Sequence, residues 1–271
     1  MRPSLPVLIV PPLPPLPPLH HLRNFHDPFS AASHLVGAAV FLVLGLLLLR
    51  RGGGGNGFRR AVLGVYAFSC VVLMAMSGVY HMTVTGGAAS RVMIRLDHGA
   101  IFLLIAGTFT PIHAILFRGR MRWAPLVIIW CVAAGGILLK VTFTEAVAEW
   151  VSLALYLAMG WFGTAAGIVL WRRYGFAFIR PLLFGGIAYS SGAVMDFLRW
   201  PAVVLPGVIY AHEVFHVAVL VGAAFHFAFI WRIADVASIS GRTVPAATRR
   251  LVANYQGDAT AAGVQRARGS S

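Results

Sequence analysis

The chain has 271 residues, of which 59% are hydrophobic and 11% charged, and its mean hydropathy is +0.80. Soluble domains carry about 25% charged residues, so much of this surface has to face lipid and a water-soluble single-core protein is excluded. The net charge of +14 comes almost wholly from arginines set in pairs and triplets between apolar runs, as loop anchors are, which argues against a nucleic-acid-binding surface.

Residues 1–30 form a proline-rich tail in which Pro-Pro-Leu repeats three times over 11–19, a polyproline-like or disordered composition. The apolar stretch from Leu5 to Val10 is short and broken by Pro6, so it does not read as a secretory signal. Seven apolar windows follow, at about 31–49, 61–83, 93–116, 122–140, 150–171, 178–198 and 207–231. Each is near the roughly 20 residues that cross a bilayer core as a helix. The separators are short and carry arginine or glycine, as in Arg50 to Arg60, Arg118 to Arg122 and Arg172 to Gly175. Backbone in lipid must satisfy its own hydrogen bonds, and windows this long that do not alternate do so as helices. The expected fold is therefore an all-α integral membrane protein, a seven-transmembrane-helix bundle over residues 31–232, followed by a basic, weakly ordered tail over 233–271. Cys70 and Cys131 lie inside apolar runs and are too few for a disulfide framework or a thiolate metal cluster. Trp123, Trp150, Trp171, Trp200 and Trp231 fall near span ends, where an interfacial belt forms.

Charge sets the expected orientation. The face bearing the N-terminus carries six Lys and Arg, and the opposite face sixteen, or four against ten when only the short loops are counted. The positive-inside rule then puts the C-terminus in the cytoplasm and the N-terminus outside, in a plasma membrane.

Ionisable groups inside spanning helices are costly enough to mark function. Ser77-Gly-Val-Tyr-His81 closes the second window, Asp97-His98 opens the third, and His212-Glu213-Val-Phe-His216 lies in the first half of the seventh. The end of an even helix and the start of an odd one reach the same membrane face, so these segments share one depth. Ser77 and His81, like His212 and His216, are four residues apart and share a helix face. Three imidazoles from two helices suit Zn²⁺, which in catalytic sites takes three protein ligands and leaves one position for water. The candidate ligands are His81, His212 and His216. Asp97 is the candidate base and Ser77 the candidate donor to a bound oxygen.

The literal His-Glu-x-x-His match admits a second reading, a zincin with Glu213 as base. It ranks lower because Glu213 is rotated about 100° from His212, and it has Arg95, Arg199 or His98 as alternative partners. His34 opens the first window on the site face, where it either supports the ligands or is a helix-end residue. His226 is about 20 Å further along its helix than His212 and cannot share the metal. His113 reads as a packed or interfacial residue, and Asp196 as a solvated helix end, a gate or a salt-bridge partner.

Ser77-x-x-x-His81, Leu-Asp97-His98-Gly-Ala-Ile-Phe-Leu-Leu-Ile-Ala-Gly107-Thr-Phe-Thr-Pro111, Tyr156-Leu-Ala-Met-Gly160-Trp161, Tyr189-x-x-Gly192-Ala and His212-Glu-Val-Phe-His216-x-x-x-Leu220-x-Gly-x-x-x-His226-Phe227 resemble the bacterial hemolysin III group over about residues 31 to 232. That group is related to the progestin and adipoQ receptors and, more distantly, to the alkaline ceramidases. The resemblance implies seven helices, one zinc on His81, His212 and His216, and Asp97 and Ser77 beside it. It further implies hydrolysis of a lipid amide, with membrane lipids as partners and no nucleic acid. A non-enzymatic receptor or membrane-homeostasis protein with structural zinc is the alternative, and a pore-forming cytolysin a third. Two features depart from the group. Asp27-Pro-Phe-Ser precedes the first window in place of the usual Glu and Asn pattern, and the group's eukaryotic receptors carry the N-terminus and zinc on the cytoplasmic side.

Overall fold

The structure is a computed structural model and describes residues 27–52, 57–84, 86–144 and 146–235. Residues 1–26 of the proline-rich tail and 236–271 of the basic tail lie outside the described residues. Seven helical segments are long and apolar enough to cross a membrane, and no strand occurs among the described residues.

The first span, α1 (Pro28–Arg51), starts where the sequence supplies both parts of a helix start. Asp27 caps it by accepting a hydrogen bond from the Ser30 backbone N–H at 3.1 Å, and Pro28 occupies the first turn, where no N–H is needed. Arg50 and Arg51 sit in its last turn, where cations complement the helix dipole. The second span is α2 (Gly57–Met82), the third α3 (Ala88–Leu116) and the fourth α4 (Arg120–Phe143).

The fifth span divides at Gly163 into α5 (Glu149–Phe162) and α6 (Thr164–Tyr174). Gly175 alone connects it to the sixth, α7 (Phe176–Phe197), with φ +82°, a conformation that favours glycine. The seventh, α8 (Ala211–Ile233), starts four residues later than the expected 207. Pro206 and Gly207 are taken up by a tight turn bridging Leu205 and Ile209, so the apolar run there is a loop rather than helix.

Consecutive spans pack as up-and-down neighbours, most closely α1 with α2, α2 with α3, α3 with α4 and α7 with α8. α3 is the central, most buried span, and α8 closes the bundle against both α1 and α3. Close approach depends on small residues. An added Cβ at Gly107 of α3 would meet Ser69 Oγ of α2 at 2.2 Å, and one at Gly192 of α7 would meet Ala218 of α8 at 2.4 Å. The outward faces carry exposed Val36, Leu42, Phe68, Val127 and Leu138, which suits lipid.

Several polar groups within the bundle find partners there, as a bilayer favours. Pro111 cannot donate within α3, and flanking Thr108 and Thr110 donate to the Leu104 and Ala106 carbonyls at 2.8 and 2.9 Å. Between helices, Trp130 donates to Thr110 at 3.1 Å, Trp161 to Ser190 at 3.0 Å and Tyr156 to the His98 carbonyl at 3.1 Å.

Candidate metal centre

The last turn of α2 and the first two turns of α8 meet at one end of the bundle. His212 Nε2 lies 3.3 Å from His81 Nε2 and 3.1 Å from His216 Nε2, and the three histidines offer ligand atoms that all fall within 4.8 Å of one another. Nitrogens about 2.0–2.1 Å from one tetrahedral ion are about 3.3 Å apart, so this spacing fits a single small ion. His81 and His216 are each 2% exposed, and His212 and His216 line a cavity beside them.

The other ring nitrogens strengthen the fit. Asp196 Oδ1 is 3.3 Å from Nδ1 of His212, and Asp27 Oδ2 is 3.6 Å from Nδ1 of His81. A carboxylate at Nδ1 favours the tautomer with its proton there, which leaves the Nε2 lone pairs of both rings aimed at the shared point. Burial opposes ionisation of Asp27, but hydrogen bonds with Ser30 and Glu213 and the field of His81 outweigh it and hold the carboxyl below its usual value. His34 braces the third ligand. Its ring centroid is 4.0 Å from that of His216, and its Nε2 is 3.3 Å from the His216 carbonyl oxygen.

Asp97 and Ser77 are close enough to interact electrostatically and line the same cavity. Its volume is about 930 Å³, near the upper end for small-molecule pockets. It runs from Glu149 and Arg199 at the site end to Trp171 and Phe176 toward the other, along the lightly packed fifth span, and its walls are mainly apolar. Among the described residues, the metal cluster gathers three histidines and no fourth protein ligand, and the cavity adjoins it.

Glu213 serves the start of α8 rather than the cluster of candidate ligands. It is 2% exposed, accepts from the Tyr210 backbone N–H at 2.7 Å as part of the α8 capping box, and hydrogen-bonds Asp27. It is therefore a helix-start residue, paired with none of Arg95, Arg199 or His98. His226 contacts the Leu182 carbonyl at 3.2 Å, and His113 contacts the Met121 carbonyl at 3.0 Å between the rings of Phe109 and Phe117. Asp196 is a salt-bridge partner, to Arg199 at 3.2 Å as well as to His212. The positions of Asp27 and Asp196 behind the histidines are not apparent from the sequence. The available signal was that each stands at a helix end on the site face.

Fold and site together define a multi-pass integral membrane protein with a candidate metal centre at one end of its bundle. A family model described as Haemolysin-III related matches residues 22–227, and the chain belongs to that family. It is similar to Hemolysin-3 of Bacillus cereus, with 34% identity over 202 residues that cover 73% of this chain and 87% of that protein. The Hemolysin-3 homolog of Bacillus subtilis (strain 168) is 29% identical over 199 residues, 73% of this chain and 89% of its own. Heptahelical transmembrane protein ADIPOR2 of Oryza sativa subsp. japonica is 32% identical over 189 residues, 65% of this chain and 82% of its own.

Proposed function

We propose that the chain is a zinc-dependent hydrolase of a lipid amide, with zinc on His81, His212 and His216. The observation that carries this reading is a three-histidine cluster, with no fourth protein ligand among the described residues, bordering a large apolar cavity that Asp97 and Ser77 also line. A structural zinc site is ordinarily closed by four protein ligands. Zinc, when bound, supplies Lewis acidity and lowers the pKa of water toward 7.

The apolar wall of the cavity holds the acyl chain and keeps bulk water out. Asp97 accepts the proton of the attacking water and returns it to the departing nitrogen. The amide C–N bond breaks as the new C–O bond forms, giving a fatty acid and an amine. The Ser77 hydroxyl, on the wall of the same cavity, donates to the substrate oxygen.

The test is metal content and lipid-amide hydrolysis of purified wild type and Asp97→Ala. Zinc in both with turnover only in wild type is the expected result. Zinc without turnover across diverse lipid amides would turn the reading to a receptor or membrane-homeostasis protein with structural zinc.

The arginine distribution supports a plasma-membrane orientation with the N-terminus and the metal centre outside and the C-terminus in the cytoplasm. A reporter fused at the C-terminus and active only outside the cytoplasm tests it. A signal there would reverse the orientation.

A further inference from the structure

A lysine inside a spanning helix is expensive, and the usual remedies are an ion pair or a side chain that snorkels to water. Lys140 lies in the last turn of α4 on the site face and lines the cavity. It is 4% exposed, and no carboxylate among the described residues makes an ion pair with it. Glu149 is near enough to act on it electrostatically, but both Glu149 oxygens are held by Arg199, at 2.9 and 3.1 Å. Lys140 lines the same cavity as Asp97, His212 and His216, and its charge is felt at His98, next to Asp97. A lysine without an ion-pair partner among the described residues thus stands at the polar end of a mainly apolar cavity.

We propose that Lys140 is the subsite for an anionic group of the ligand, so that the cavity takes N-acyl conjugates whose amine side carries a carboxylate or phosphate. The choice of an amide conjugate rests on the hydrolase reading. The placement of the anion follows from the cavity. The acyl chain fills the apolar length toward Trp171, its carbonyl lies at the histidines, and only the amine side is left to reach Lys140. The ammonium then gains in the complex a counter-charge that no described carboxylate supplies through an ion pair, and a neutral lipid amide offers none.

The experiment uses the full-length, zinc-loaded protein in phosphatidylcholine nanodiscs and two probes with the same chain and amide, N-palmitoylglycine and N-palmitoylethanolamine. Binding of the carboxylate probe is expected to be about tenfold tighter or more. Lys140→Gln should bring it down to the neutral probe's affinity while leaving the neutral probe unchanged, and Lys140→Arg should keep most of the preference. Zinc content of each variant reports that the site is folded. Equal binding of the two probes by wild type overturns the proposal, and is the outcome expected if Glu145, outside the described residues, neutralises Lys140. A preference that survives in zinc-loaded Lys140→Gln also overturns it. Competition by inorganic phosphate or acetate at the probe's own concentration would make this a free-anion site and would overturn the amphiphile. Hydrolysis followed in the same samples separates the two readings. Charge-selective binding without cleavage rejects the hydrolase and retains the subsite, whereas cleavage of both probes without charge preference does the reverse.

Discussion

Asp27, which caps the first spanning helix, also lies 3.6 Å from the Nδ1 atom of His81 at the end of the second. One carboxylate thus fixes a helix start and faces the back of a metal-ligand candidate. Asp27→Asn keeps a good cap but removes the charge. The expected outcome is a 10–100-fold weaker zinc affinity, the usual loss for such a partner, with helix content unchanged. Zinc titration against a competing chelator, with circular dichroism alongside, checks this. Asp196→Asn should behave in the same way through His212.

Replacing any one of His81, His212 and His216 with Ala removes a third of the donor set. Bound zinc should fall from about one ion per chain to near zero. A chelator should lower the thermal midpoint of wild type, because an ion at 100 times its Kd stabilises the folded state by about 2.7 kcal/mol. It should leave the variants unmoved. A variant that retains full zinc would remove that histidine from the ligand set.

Asp97 and Ser77 line the cavity beside the three-histidine cluster and are not among its candidate ligands. Asp97→Asn should keep zinc and lose lipid-amide turnover by about 10²–10⁴-fold, the range for a removed general base. Ser77→Ala should keep zinc and lose less. Metal analysis paired with kcat on the same preparation decides between a proton-handling Asp97 and one that only supports the site.

Gly107 packs α3 against Ser69 of α2, where an added Cβ would approach Ser69 Oγ to 2.2 Å and Ser69 Cβ to 2.7 Å. Gly107→Ala should cost about 1–3 kcal/mol, read as a lower thermal midpoint in detergent. Ser69→Gly in the same chain should restore most of the loss. Absence of rescue would show that the helices separate for another reason.

Several features follow from the chain alone, and the structure marks the edges of that legibility. Seven spans are visible as apolar windows because crossing a bilayer is a demand on length and composition, which are local. The shared depth of His81, Asp97, His212 and His216 follows from helix parity, which needs only the order of the spans. The split of the fifth span at Gly163 was not legible, since one glycine in an apolar run is as compatible with a continuous helix. Nor was the late start of α8, where Pro206 and Gly207 form a turn inside an apolar stretch.

What the tertiary structure alone decided is rotation and convergence. Residue spacing sets which side chains share a face of one helix, but not which way that face turns against its neighbours, because that depends on how all the side chains between helices pack. Packing brought three Nε2 atoms to one point and drew Asp27 and Asp196 behind two of them. The same packing turned Glu213 of the His-Glu-x-x-His match toward the α8 start and enclosed Lys140 beside the cavity. The sequence determined that costly polar groups lie at one membrane face, and the three-dimensional packing decided which of them meet.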